Sequence, residues 1–291
     1  MTTYSGRRWR AVYHVPGPEA TARAAAEDLC IEQTVEFPAD LVHDATIREH
    51  VFGHVAALRP LDAGGARFEA TIDFAVEIVG GELSQLLNVL FGNISLKPGI
   101  RLVHAELDER LLAQAPASDD WLAGFGSQQQ FGPRYGVAGL RKLLDAPSRP
   151  LLCTALKPMG LDAHQLAEMA YAFAAGGLDL IKDDHGLADQ PFCRFEDRVE
   201  RCARAVQRAE RESGYRCCYC PNISAPADRI LERARFARDA GARGVLVAPG
   251  LVGFDTMRRL ASDDELGLVV VMHPAALGAF SMRPDEGIAH R

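Results

Sequence analysis

At 291 residues the chain has room for one large α/β domain and a smaller one. Its composition, 48% hydrophobic and 24% charged, is that of an ordinary globular protein, and no apolar run approaches spanning length. A net charge of −7 argues against a nucleic-acid or anionic-membrane partner. Basic residues in Met1 to Arg10 have no apolar core behind them, so no signal peptide is visible and a cytoplasmic location is expected. Three of the seven cysteines, Cys217, Cys218 and Cys220, lie in a strand-like run with no second pair at zinc-finger spacing. That pattern favours free buried thiols in a reducing compartment over a metal site.

The first strand is expected over residues 8–14, and Pro16-Gly17-Pro18 turns the chain into an alanine-rich helix over about Glu19 to Asp28. The β-branched residues of Ile31-Glu32-Gln33-Thr34-Val35-Glu36 suggest a second strand. Phe68, Ala70, Ile72 and Phe74 alternate with polar residues, as in a half-buried strand. Gly80-Gly81 then leads into a short helix from Leu83 to Leu90. This order suits a small α+β sandwich of ferredoxin-like type over about 1–130. The stretch Pro116 to Pro133, rich in Gly, Gln, Ser and Asp, is expected as a linker.

From residue 131 to 291 the expected grammar is one of repeated βα units. Strands are predicted at Leu151–Leu156, Leu178–Ile181, Cys217–Ile223, Gly244–Ala248 and Leu268–Met272. Between them run amphipathic helices. One carries Leu166, Met169, Ala170 and Phe173 on a face and is closed by Gly176; the next covers Phe195 to Ser213 and stops at Gly214. Ala227 to Ala240 is the third, and Asp255 is expected to cap a short fourth. Strands repeating in this way indicate a (β/α)8 barrel, incomplete here at about five units.

The chemistry gathers after the second of these strands, at Gly176-Gly177-Leu178-Asp179-Leu180-Ile181-Lys182-Asp183-Asp184-His185-Gly186. In an extended strand Lys182 and Asp184 share a face, while Asp183 and His185 share the other. Carboxyl ends of parallel strands are where such folds place their reactions. Taken alone, the cluster is equally readable as an internal salt bridge at the mouth of a sheet.

Gly-Gly-Leu-Asp-Leu-Ile-Lys-Asp-Asp-His resembles the metal-site strand of the ribulose-bisphosphate carboxylase (RuBisCO) large-chain superfamily. The resemblance implies a CO2-derived carbamate on Lys182 and Asp184 as a Mg2+ ligand, with His185 standing where the family has a glutamate. Arg149-Pro150-Leu151-Leu152-Cys153-Thr154-Ala155-Leu156-Lys157-Pro158 is similar to the first barrel strand, which makes Lys157 an active-site lysine and Thr154 a substrate contact. Asn222 matches a strand-end asparagine that meets the substrate, and His273 a strand-end histidine with an acid or base role. Phe91-Gly92-Asn93 and Ile31 to Glu36 resemble the small-domain segments that make Asn93 and Glu32 catalytic.

Departures from that pattern matter as much. Met159-Gly160-Leu161 is one residue shorter than the family's segment and lacks its lysine, and Pro274 replaces a phosphate-holding arginine. Each missing charge-assisted hydrogen bond weakens phosphate binding by about 1.5–3 kcal/mol. The implied protein is therefore a form IV, RuBisCO-like protein. It would enolise a phosphorylated sugar or sugar-acid ketone, as an isomerase, tautomerase or decarboxylase, and would not carboxylate ribulose bisphosphate. Its implied assembly is a homodimer in which Glu32 and Asn93 act in trans. A catalytically silent chain with a binding or regulatory role is the alternative, and a Schiff-base aldolase using Lys157 or Lys182 a third. With His185 in the ligand set, Zn2+ or Mn2+ is expected to suit the site better than Mg2+.

Overall fold

The computed structural model describes residues 4–106 and 133–289. The expected linker lies outside them apart from Pro133, as does the expected boundary at 130/131. Two compact units emerge: residues 4–106 together with 277–289, and residues 133–276. No helix among the described residues is long and apolar enough to cross a membrane.

In the first unit, strands β1 (Arg8–Pro16), β2 (His54–Pro60), β3 (Arg67–Ala75), β4 (Arg101–Glu106) and a late β10 (Gly287–Ile288) form one sheet, in the order β10-β4-β1-β3-β2. The middle order 4-1-3-2 with antiparallel pairing is the ferredoxin-like arrangement expected. Alternation along the strands builds its core. Trp9, Ala11, Tyr13 and Val15 of β1 and Phe68, Ala70, Ile72 and Phe74 of β3 all point to one buried face. Helices α1 (Glu19–Glu32) and α3 (Leu83–Phe91) supply Ala22, Ala26, Leu29, Leu86 and Val89 to the same core. A short α2 (Ala45–His50), capped by Asp44, precedes β2.

Ile31–Glu36 is not a strand. Helix α1 runs on to Glu32, and the N–H groups of Thr34, Val35 and Glu36 all turn back to the carbonyl of Ile31. Buried Ala22, Ala26, Leu29, Cys30 and Gln33 keep helical spacing, and that apolar stripe outweighs the β propensity of isolated residues. The described residues after Ala276 lie within the expected 131–291 barrel domain but do not join its βα units. They hold to the first unit, where Gly287 N–H donates to Ile100 O at 3.2 Å and Ala289 N–H to Leu102 O at 2.9 Å. Strand β10 thereby covers the open edge of β4.

The second unit opens with α4 (Val137–Leu143). Parallel strands β5 (Cys153–Leu156), β6 (Leu180–Asp183) and β7 (Cys218–Cys220) form one ladder, and β8 (Gly244–Val247) and β9 (Val269–Met272) another. A bridge between Asn222 and Leu246 joins the two. Helices α5 (Ala163–Ala175), α6 (Phe195–Ser213) and α7 (Ile230–Asp239) lie on the outer face, followed by α8 (Pro249–Val252), α9 (Phe254–Ala261) and α10 (Gly278–Ser281), the last within the first unit. Leu156, Ile181, Tyr219, Val245 and Val247 pack outward against Leu166, Ala170, Val199, Cys202 and Val206. Leu180, Cys218, Cys220 and Val269 pack inward with Leu144 and Ala146. Two helix ends differ from expectation. The left-handed residue after α5 is Gly177 (φ +85°) rather than Gly176, and Gly253 caps α9, leaving Asp255 in its first turn paired with Arg258 at 2.6 Å.

One polar hub sits inside the apolar layer. Asp183 and Arg198 are both fully buried and paired at 3.0 Å. Tyr219 Oη and the Asn222 N–H also donate to Asp183, at 2.9 and 3.0 Å, and Arg198 donates to the carbonyls of Ala188 and Cys193. Arg198→Met leaves Asp183 buried without its counter-ion, so a loss of about 3–5 kcal/mol in urea unfolding is expected. Arg201→Met, which breaks an exposed pair with Asp197, should cost less than about 1 kcal/mol.

Candidate functional site

Strand β6 carries two opposite chemistries on its two faces. Ile181 and Asp183 face the helices, so Asp183 is consumed by the buried hub. Lys182 and Asp184 follow Leu180 onto the inner side, as the alternation requires. Lys182 lies opposite Ala155 of β5, and its Nζ donates to the Asp183 carbonyl at 3.3 Å.

Four of the expected residues meet at the carboxyl ends of β5, β6 and β9. Lys157 Nζ is 3.2 Å from Asp184 Oδ1, and His185 Nδ1 is 3.5 Å from the same oxygen. His185 and His273 stack, with centroids 4.3 Å apart and planes 12° from parallel. Burial pushes the Asp184 carboxyl up, but the Lys157 hydrogen bond and charge outweigh it, and the net shift is downward. For His273 burial lowers the imidazole, and the charges of His185 and Lys182 lower it further. Ala275 N–H donates to His273 Nδ1 at 3.1 Å. An amide nitrogen can only donate, so Nδ1 is bare and the neutral ring carries its hydrogen on Nε2.

Two further expected residues stand beside this cluster with different surroundings. Asn222 is buried and spends both Nδ2 hydrogens, one on His185 O and one on Leu187 O, each at 2.9 Å. Its Oδ1 accepts from Ser224 N–H at 3.1 Å, so the side chain clamps the loop after β6. Thr154 stands three residues before Lys157, an odd offset that puts it on the helix-facing side with Leu156. The inward position two residues before Lys157 is Ala155.

Glu32 and Asn93 belong to the first unit and meet there: Asn93 Nδ2 donates to Glu32 Oε1 at 3.2 Å. Two further residues, which no sequence pattern singles out, organise that pair. Buried Gln33 donates to Asn88 O and Val89 O and accepts from Ile94 N–H, tying the end of α1 to the segment bearing Asn93. Lys97 Nζ lies 3.8 Å from Glu32 and also bonds Asp28. Arg198 does carry a signal in the sequence, because it sits within the inward stripe Phe195, Val199, Cys202 and Val206.

As a cation site the donor set is thin. Among the described residues no group of three or more His, Cys, Asp or Glu side chains is gathered to hold a metal ion. Asp183 faces away, leaving Asp184 as the one carboxylate with His185 beside it. As they stand, Asp184 and His185 offer a divalent cation one carboxylate and one imidazole, and a carbamate on Lys182 would add an anionic oxygen ligand to them.

A family model described as ribulose bisphosphate carboxylase large chain, catalytic domain, matches residues 136–291. Ribulose bisphosphate carboxylase-like protein 1 of Rhodopseudomonas palustris is 39% identical over 273 residues, covering 94% of this chain and 69% of its own. The 5-methylthioribulose-1-phosphate isomerase of Rhodospirillum rubrum is 35% identical over 278 residues, covering 95% of this chain and 70% of its own. The crystal structure of a RuBisCO-like protein from Rhodopseudomonas palustris superposes with a TM-score of 0.79 at 37% identity, over 99% of this chain and 72% of that one.

The stacked imidazoles generate a direct expectation. By proton NMR, His273 should titrate below the ordinary histidine value of about 6.5. Replacing His185 by Ala should move it part of the way back up, because one contributing charge is removed while the burial remains.

Proposed function

The chain belongs to the RuBisCO large-chain family, among its RuBisCO-like members, and on that premise we propose that it enolises a phosphorylated ketose as an isomerase or tautomerase and is not a carboxylase. One observation carries the reading: Lys157, Asp184, His185 and His273 converge at the carboxyl ends of three strands, β5, β6 and β9. Enolisation needs a donor at a carbonyl oxygen and an acceptor for the proton on the neighbouring carbon. In this reading His273 directs its Nε2–H at the ketone oxygen. A neutral imidazole suits that role, because it polarises the oxygen without surrendering charge to solvent. Lys157, after giving one ammonium proton to solvent, takes the proton from the neighbouring carbon on its free Nζ lone pair and delivers it back to the enediolate. Lys182 as its carbamate, Asp184 and His185 would hold a divalent cation, which supplies electrostatic stabilisation to developing oxyanion charge.

The partner in this reading is a second copy of the chain. Glu32 and Asn93 of one chain serve the barrel mouth of the other, as the resemblance implies, and the Asn93–Glu32 hydrogen bond supports their acting as a unit.

Three measurements test these points. With 5-methylthioribulose 1-phosphate as substrate, turnover followed by NMR should be detectable, and His273→Ala should lower it about a hundredfold, the cost of removing one oxyanion donor. The rate should fall on the acid side with a midpoint below about 6.5, because protonation of His273 needs Nδ1 and breaks its bond to Ala275. No turnover of this or related ketose phosphates sinks the reading. Calorimetry should show Zn2+ or Mn2+ binding more tightly than Mg2+ in the presence of bicarbonate, with His185→Glu restoring Mg2+ affinity. Equal Mg2+ binding by both proteins would mean that His185 does not limit the site. Finally, mixing inactive Glu32→Gln and Lys157→Met chains should recover roughly a quarter of full activity, since half of the dimers then contain one intact shared site. Recovery at background level argues against sharing.

A further inference from the structure

Met159 is a large apolar side chain left in solvent beside the Lys157–Asp184 pair. It is 52% exposed, whereas Leu161, two residues on, packs against the outer core. Its reach depends on Gly186: a Cβ added there would stand 2.4 Å from Met159 Cε and 3.7 Å from Asp184 Oδ2. The bare glycine backbone thus lets the thioether methyl cross from the end of β5 to the loop after β6, beside the reactive carboxylate. Lys157 makes the same crossing two residues earlier and meets the other oxygen, Oδ1, at 3.2 Å. Folding gains little from this arrangement, since apolar stabilisation scales with area removed from water and half of Met159 stays wet. A methionine in that position presents an adaptable, polarisable apolar surface to whatever enters the mouth.

We propose that Met159 determines specificity: its thioether is the wall that receives the far end of the substrate, which must be uncharged and apolar. The preferred ketose 1-phosphate then ends in an alkyl or alkylthio group rather than a hydroxyl or a second phosphate. Where the carbonyl lies rests on the enolisation reading; the wall itself does not. A hydroxyl against Met159 would exchange water for a methyl and a weakly accepting sulfur, which do not replace its hydrogen bonds. A phosphate there would lose more, because Lys157, the cation of the same segment, is already paired with Asp184. An apolar end leaves water at no such cost and buries the exposed half of Met159 as it arrives. Proton transfer and recognition of the chain beyond the reacting carbon therefore fall to two side chains of one short segment.

The test is binding of two ketone-free probes, 5-methylthioribitol 1-phosphate and ribitol 1-phosphate, to the full chain by calorimetry. Lacking a carbonyl, neither is turned over, so the readout is independent of enolisation. The native protein should prefer the methylthio probe about tenfold, the discrimination that one small apolar group ordinarily provides in an apolar site. Met159→Ser should narrow that preference to about twofold or less, and Met159→Leu, which keeps the apolar wall, should retain it. Equal binding by the native protein, a preference that survives Met159→Ser, or one that vanishes equally in Met159→Leu overturns the proposal. If neither probe binds, the wall falls together with the ketose phosphate reading. A preference lost only in Met159→Ser, in a protein that turns over no ketose phosphate, leaves the wall standing and removes the enolisation reading alone.

Discussion

The second unit depends on one buried ion pair, Asp183 with Arg198. Both groups are removed from solvent, and such a pair is tolerable only when its remaining polar atoms are satisfied. They are. Asp183 accepts three hydrogen bonds from three different places, and Arg198 reaches two loop carbonyls beyond it. The pair therefore joins β6, β7, α6 and the loop from Ala188 to Cys193 at one point. Because side chains alternate along a strand, anchoring Asp183 outward obliges Lys182 and Asp184 to face inward. A structural requirement on one face thus fixes the geometry of the reactive face.

The same logic separates residues that hold the site from residues that can do chemistry in it. Asn222 and Asp183 are engaged by backbone and side-chain partners and set positions around the cluster. Lys157, His185 and His273 retain exposed polar atoms around a single carboxylate. His273 is held in one tautomer by a backbone N–H two residues along the chain, a local device that needs no second carboxylate. In the first unit Gln33 plays the holding part, tying the end of α1 to the segment in which Asn93 bonds Glu32.

Much of this is legible in the sequence, for identifiable reasons. Helix α6 can be read to the residue because its apolar stripe is long and its stop is a left-handed glycine, Gly214. The parallel strands of the second unit stand out as short apolar runs ending in polar side chains. Short-range evidence is what misleads. Ile31–Glu36 has β-branched residues, but the helix that precedes it continues on burial. Strands β2 and β4 escape a sequence reading because β2 is an edge with little buried surface and β4 shows only brief alternation. The resemblance of the first barrel strand suggests Thr154, whereas strand parity puts Ala155 on the side of Lys157. Asn222 does end a strand as expected, yet its partners come from a loop over thirty residues away, which no local pattern encodes.

The central claim is that the Lys157–Asp184–His185–His273 cluster moves a proton at carbon next to a ketone. Solvent exchange reports that step without requiring complete turnover. A ketose phosphate such as 5-methylthioribulose 1-phosphate, incubated with the protein in deuterium oxide with bicarbonate and a divalent cation, should lose the proton signal of the carbon beside its carbonyl. The loss should outpace the buffer control and vanish with Lys157→Met. Retention of that signal by a protein shown in the same tube to bind the ketose would contradict the claim.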